Sequence, residues 1–228
     1  MLINKLENKL RFIKIPNLMF IIVVVSAFVY IFDSFNVAQN GRFFLEKLLF
    51  FDKHLILRGQ VWRALTFIFL PFKSSTLIFA VLEAYFLYFL GTSLEVSLGE
   101  SRFSLFYIFG VLGCLVVGFF TGYTTIYFLN LSMFLVFASL NPSRKVLLFY
   151  VIPVKTFYIG VIDTIYFMFV IVVGFLQKDF PKAFTAIAAI INFLLFFGPG
   201  FFIDMFNQIK DLQEKSKRMY RNGRYWGN

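Results

Sequence analysis

Long apolar runs separated by short polar clusters organise this chain. Between Arg102 and Arg144 no side chain carries a charge. That stretch, residues 103–143, is about twice the ~20 residues that one helix needs to cross a ~30 Å hydrocarbon core. It must therefore fold back on itself, and the small and polar residues Thr121-Gly122-Tyr123-Thr124-Thr125 mark the turn. Within hydrocarbon every backbone N–H and C=O has to be satisfied by the protein, so the run predicts a hairpin of two spanning helices.

With that hairpin included, the same pattern along the chain predicts six spans, at about 17–37, 76–95, 103–121, 124–140, 157–176 and 183–203. The apolar piece 146–154 is too short to cross and contains Pro153, so it is expected at the interface as a re-entrant or surface segment. Residues 38–75 are unusually apolar for a connection of that length, with Phe43, Phe44, Leu48, Leu49, Phe50 and Phe51 among them. They predict short amphipathic helices lying in the outer interface, a large membrane-interfacial first loop. Residues 207–228 are polar and basic, a cytoplasmic tail expected to continue helical from the last span. The domain division is thus 1–206 for the membrane domain and 207–228 for the tail.

Composition agrees: 60% of residues are hydrophobic and 21% aromatic, with 36 Phe, and mean hydropathy is +0.80. This is the profile of a polytopic membrane protein, and no segment has the makings of a separate soluble domain. The formal charge of +10 follows the habit of membrane proteins, whose Lys and Arg gather in cytoplasmic loops beside anionic lipid, and no nucleic-acid role is inferred from it. With the N-terminus inside, fourteen Lys/Arg fall on the cytoplasmic side and eight outside. The expected placement is N-in and C-in, in a bacterial plasma membrane. The first apolar run follows basic residues but lacks a small-residue cleavage site, so it is a span and not a signal peptide. One cysteine, Cys114, precludes an intrachain disulfide.

Two clusters carry a recognisable order. Gly59-Gln60-Val61-Trp62-Arg63-Ala64-Leu65-Thr66 precedes the second span; Gly91-Thr92-Ser93-Leu94-Glu95, with Gly99, Arg102 and Phe103, closes it and opens the third. Trp62 has the amphipathic ring favoured at headgroup level. Arg63 offers five donors to loop carbonyls or lipid phosphate, and Glu95 is placed to pair with Arg102 across the short turn. In this order the motifs resemble the rhomboid superfamily, where a Trp-Arg motif in the first loop leads to a Gly-x-x-Leu-Glu corner; Derlins, its eukaryotic pseudoproteases, share the Trp-Arg feature. The resemblance covers about residues 16–206 and implies a six-transmembrane-helix rhomboid-like bundle, all-α and integral to the membrane. Gln60, Trp62, Arg63, Gly91, Glu95, Gly99 and Arg102 are its motif residues, with a scaffolding role favoured over client contact.

The resemblance also marks what is missing. Active rhomboids place a serine in a Gly-x-Ser-Gly turn at the top of the fourth span and a histidine on the sixth, because a serine hydroxyl needs a base at neutral pH. Here the corresponding region reads Thr125-Ile126-Tyr127-Phe128-Leu129, and the sixth span has no histidine. The family's His-x-x-x-Asn oxyanion element corresponds to Thr76 and Ala80, and Pro71 follows Phe69-Leu70 where a histidine is usual. Ser132 has no evident base and is expected to bond back to its own helix. The chain therefore looks like a rhomboid pseudoprotease, with no catalytic residue. One histidine, His54, and one cysteine with scattered carboxylates make no zinc site, so no metal or other cofactor is expected.

Glu83, Asn130, Asp163 and Asn192 are the polar side chains within the spans. A carboxylate at depth costs ~2.5–3.5 kcal/mol on insertion scales and should face protein or water. Such residues serve interhelical hydrogen bonding or a hydrophilic notch that receives the polar part of a client helix. Gly118-x-x-x-Gly122, with Gly110 and Gly113, and the pair Ala80 and Ala84 allow close helix approach, within the bundle before dimerisation. The leading expectation is a non-catalytic membrane protein that binds transmembrane helices or partner membrane proteins in quality control, trafficking or complex assembly. Its other partners are membrane lipids. A structural subunit of a larger membrane complex and a small-solute or lipid transporter stand as alternatives, the latter without visible inverted repeats.

Overall fold

The computed structural model describes residues 13–40, 43–70, 76–142, 145–148 and 152–223. Helix α1 (Leu18–Asn40) leads into three short helices, α2 (Leu45–Leu49), α3 (Lys53–Leu57) and α4 (Arg63–Thr66), and a 3-10 turn at Phe67–Phe69. Then come α5 (Leu77–Leu98), α6 (Glu100–Thr121), α7 (Tyr127–Leu140), strands β1 (Lys145–Leu148) and β2 (Ile152–Lys155), α8 (Thr156–Leu176) and α9 (Phe180–Gly223). Among the described residues, five segments are long and apolar enough to cross a membrane: Leu18–Val37, Leu77–Leu98, Glu100–Thr121, Thr156–Leu176 and Phe180–Gly198. This is an α-helical membrane protein.

The fourth expected span differs from the others. Helix α7 has 14 residues, which at ~1.5 Å per residue extend about 21 Å, short of the ~30 Å core. Ten of those residues are buried, and α5, α6, α8 and α9 all pack against it. Its apolarity thus reflects a place at the centre of the protein and not contact with lipid. Helix α8 is the opposite case. Only one stripe of it is buried, Thr156, Gly160, Asp163, Phe167, Val170 and Gly174, at the alternating spacing of four and three that keeps one face of a helix against its neighbours.

Glycines set the closest approaches. A Cβ on Gly110 would fall 2.1 Å from a Leu129 methyl, and one on Gly118 would fall 2.6 Å from the Phe51 ring. The Gly118-x-x-x-Gly122 pair is therefore split in role: Gly118 gives room to Phe51, whereas Gly122, at φ +95°, caps α6 by donating its N–H to the Gly118 carbonyl. Gly99, at φ +82°, is the single-residue corner between α5 and α6, a left-handed conformation that side chains disfavour.

Two faces result. On one, Lys14 Nζ meets Glu100 Oε2 at 2.7 Å, Ile15 N–H donates to Ser104 Oγ at 3.2 Å, and Arg102 Nη2 donates to the Phe196 carbonyl at 3.4 Å. The start of α1 and the apolar end of α9 therefore share this terminal face. On the opposite loop face, Lys53 N–H donates to the Gly122 carbonyl at 3.1 Å, and the Thr124 and Thr185 hydroxyls are 3.3 Å apart.

One further expectation is corrected and another is met. Residues 146–154, expected as an interfacial segment, lie largely in an antiparallel hairpin pairing Lys145 with Lys155 and Leu148 with Ile152; the bundle is thus not purely helical. The last span was expected to end near residue 203. As expected of the tail, the helix continues beyond it: α9 runs unbroken for 44 residues to Gly223, about 66 Å, and carries the polar residues from 207 onward.

Candidate functional site

The connection between α1 and α5 is held by directed bonds from its polar residues. Asp33, buried near the loop-face end of α1, accepts N–H groups of Phe44 and Leu45 on Oδ1 at 3.0 and 2.8 Å and of Glu46 on Oδ2 at 2.6 Å. It caps α2 from another helix, satisfying donors that five residues cannot satisfy among themselves. Arg63 is buried; its Nε donates to Gln60 Oε1 at 2.7 Å and its Nη1 to the Phe50 carbonyl at 3.0 Å, while the guanidinium lies 4.9 Å from the centre of the Phe50 ring. Trp62 is 45% exposed and its Nε1 donates to the Leu48 carbonyl at 3.3 Å. Gln60, Trp62 and Arg63 thus form one clamp on the chain at 48–50. Between them these bonds seat Phe51, fully buried against Phe67 and Phe119 with ring centres 5.8 and 5.6 Å away.

The second motif cluster is a helix corner. Gly91 lies under Met19, where a Cβ would come within 2.0 Å of Cγ. Glu95 is buried with Oε1 unpartnered, and no ion pair joins it to Arg102 among the described residues. Arg102 sits on α6 facing α9, where it donates to Phe196 and stacks 5.5 Å over the Phe197 ring. The expected Glu95–Arg102 pair is therefore replaced by an α6–α9 contact, because the corner at Gly99 turns the two side chains onto different neighbours.

Within the bundle, the structure brings three of the four intramembrane polar residues together. Tyr127, the first residue of α7, lies within electrostatic reach of Tyr166 of α8 and of Glu83 and Asp163. A notch of about 100 Å³ between α5 and α7 is lined by Glu83, Tyr127, Asn130, Leu131 and Phe134. Tyr107 donates its hydroxyl to Asn130 Oδ1 at 3.1 Å, which leaves Asn130 Nδ2 buried without a partner, as is Asp163 Oδ2. An unmet buried polar atom costs about 1–3 kcal/mol. Toward the terminal face the notch narrows where Phe86 stacks on Phe134 at 4.8 Å. Tyr107, Tyr127 and Tyr166 were not singled out in sequence, since tyrosine in a span reads equally as packing or as an interfacial residue.

Asn192 belongs elsewhere: its Nδ2 donates to the Phe106 carbonyl at 3.0 Å and ties α9 to α6. Ser132 donates to the Leu129 carbonyl at 2.7 Å, the back-bonding expected of it. His54 is exposed on α3. No group of three His, Cys, Asp or Glu side chains arranged for a metal occurs among the described residues. Compared with protein-family models, curated proteins and solved structures, the chain matches none of them.

Proposed function

We propose that this protein is a catalytically inactive, rhomboid-like membrane protein, its six spans made of five long helices and the short central α7, that holds transmembrane helices of client or partner proteins. The observation that carries this reading is the notch beside α7. It sets Glu83, Tyr127 and Asn130 in the half of the bundle nearer the loop, and it leaves the Asn130 amide without an acceptor. A polar group within apolar helices with no partner of its own is suited to one supplied by another helix. Helices α5 and α8 flank this region and are mostly unburied by the rest of the chain, which leaves apolar surface for a helix to lie along. The hydroxyl of Ser132 is committed to its own helix, which favours binding over serine chemistry. Both described ends lie on the terminal face with fourteen of the 22 Lys and Arg on that side in sequence, which supports an N-in, C-in orientation.

A photoreactive phenylalanine analogue at Leu131, which lines the notch, should crosslink to membrane proteins in native membranes. The yield should fall when Asn130→Ala and Glu83→Gln are combined with it. The same analogue at Phe120, 85% exposed on α6, serves as the lipid-facing control. Adducts at Leu131 no more abundant than at Phe120, or unchanged by the notch substitutions, would remove the client-binding reading.

A further inference from the structure

A separate cavity of about 520 Å³ opens on the loop face, between α1, the clamped loop and the turn that follows α6. This is within the ~300–1,000 Å³ range of small-molecule sites. Fifteen described residues line it. Two are carboxylates, Asp33 and Glu46; seven are aromatic; none is Lys, Arg or His. It extends along α1 from Asp33 to Ser26, seven residues and about 10 Å toward the middle of the span. At that inner end the Ser26 hydroxyl, in a residue 1% exposed, is buried without a partner.

The charges among the described lining residues are of one sign. Glu46 is exposed at the rim. Burial, together with Glu46 and Asp179 nearby, pushes the Tyr123 phenol above its usual range, as a negative surrounding should. Tyr30, Phe43 and Tyr123 add ring faces, which attract cations through the aromatic quadrupole. A phosphate finds no basic side chain among the described lining residues, which disfavours a phospholipid headgroup.

We propose that this cavity binds a small lipophilic organic cation, with its charge between Glu46 and Asp33 at the mouth and its apolar body directed toward Ser26. The body takes the place of water against the aromatic wall, and an amino or hydroxyl substituent at its far end supplies the partner Ser26 lacks. The site is independent of the notch, which lies between α5 and α7, so either can fail alone.

The probe is ethidium, a planar aromatic cation with ring amines, followed by fluorescence anisotropy with the full chain in a neutral maltoside detergent. Its uncharged parent, 3,8-diamino-6-phenylphenanthridine, is the competitor at pH 8. Saturable ethidium binding is expected, with the neutral parent at least about tenfold weaker, as loss of one close charge pair predicts. Glu46→Gln should weaken ethidium by about the same factor. It leaves the Glu46 N–H on Asp33 in place, so the fold is not at issue. Ser26→Leu, which fills the inner end while leaving every charge, should abolish binding in protein that still melts as the wild type does. Absence of saturable binding, equal competition by the neutral parent, or wild-type affinity in either variant overturns the proposal.

Discussion

Removal of the Arg63 guanidinium is the perturbation that most directly probes how the first loop is held. The side chain is 4% exposed and makes two hydrogen bonds, to Gln60 Oε1 and to the Phe50 carbonyl, plus the contact with the Phe50 ring. Hydrogen bonds from a charged donor contribute about 1.5–3 kcal/mol each, and truncation strands the Phe50 carbonyl in a partly dry setting. Arg63→Ala should therefore cost about 3–5 kcal/mol, and at about 2–4 °C per kcal/mol for a chain of this size the melting temperature should fall by roughly 6–20 °C. Arg63→Lys keeps the charge but can reach only one of the two acceptors, so about half of that loss is expected.

The chain carries its own reporter. Cys114 is the sole cysteine and is 1% exposed, so a maleimide dye that fluoresces on reaction follows unfolding in detergent without further labelling. Cys114 also lies one helical turn from Gly118, on which Phe51 rests, and release of the loop alone should speed its modification below the melting temperature. Variants melting within 2 °C of wild type, with unchanged labelling rates, would show that the loop is seated by its apolar residues and that the clamp contributes nothing measurable.

Gly91→Ala should destabilise by about 1–3 kcal/mol through overpacking, because its Cβ would meet Met19 Cγ at 2.0 Å; in a Met19→Ala background, itself less stable for the buried side chain it removes, the same glycine change should cost little. The same melts should show Gly113→Ala near neutral, its Cβ meeting Ala188 at an ordinary 3.7 Å; equal effects of the two glycine changes would discredit the helix contact. Cysteines placed at Asn4 and Asn228 in a Cys114→Ser background should both resist impermeant labels applied to intact cells. Labelling of both from outside would invert the orientation, and labelling of only one would contradict the shared terminal face.

What could be read from sequence divides along a physical line. A helix facing lipid must be apolar over most of its length, so α1, α5, α6 and α8 show as long runs with few charges within them. A helix buried by its neighbours satisfies the same condition, and α7 could not be told from a span by hydropathy alone. Its distinguishing trait is length, and the expected start at residue 124 hid it by counting Thr124, Thr125 and Ile126 of the preceding turn. Spacing was equally ambiguous for polar residues. Glu95 and Arg102 are close in sequence, yet the corner at Gly99 sends Arg102 toward α9. Asp33 marked only the end of an apolar run, whereas in the fold it binds three N–H groups of residues 44–46.

Glu83, Asn130, Asp163 and Asn192 looked alike in sequence, each a polar residue in a span. The bundle separates them by helix face. Asn192 looks into the α6–α9 seam, where the Phe106 carbonyl satisfies it; Glu83 and Asn130 line the notch with Tyr127 at the loop-side end of the central helix, and Asp163 lies within electrostatic reach of that tyrosine. That convergence required α7 to be short. A helix long enough to cross the membrane would carry its first residues into the headgroup layer, where water meets any polar group. Starting instead about 10 Å lower, as a 14-residue helix against a ~30 Å core permits, it can bring Tyr127 and Asn130 below the surface. There the Asn130 amide and the Asp163 carboxyl each keep an atom unpartnered, and the groups able to satisfy them must come from water or from another helix.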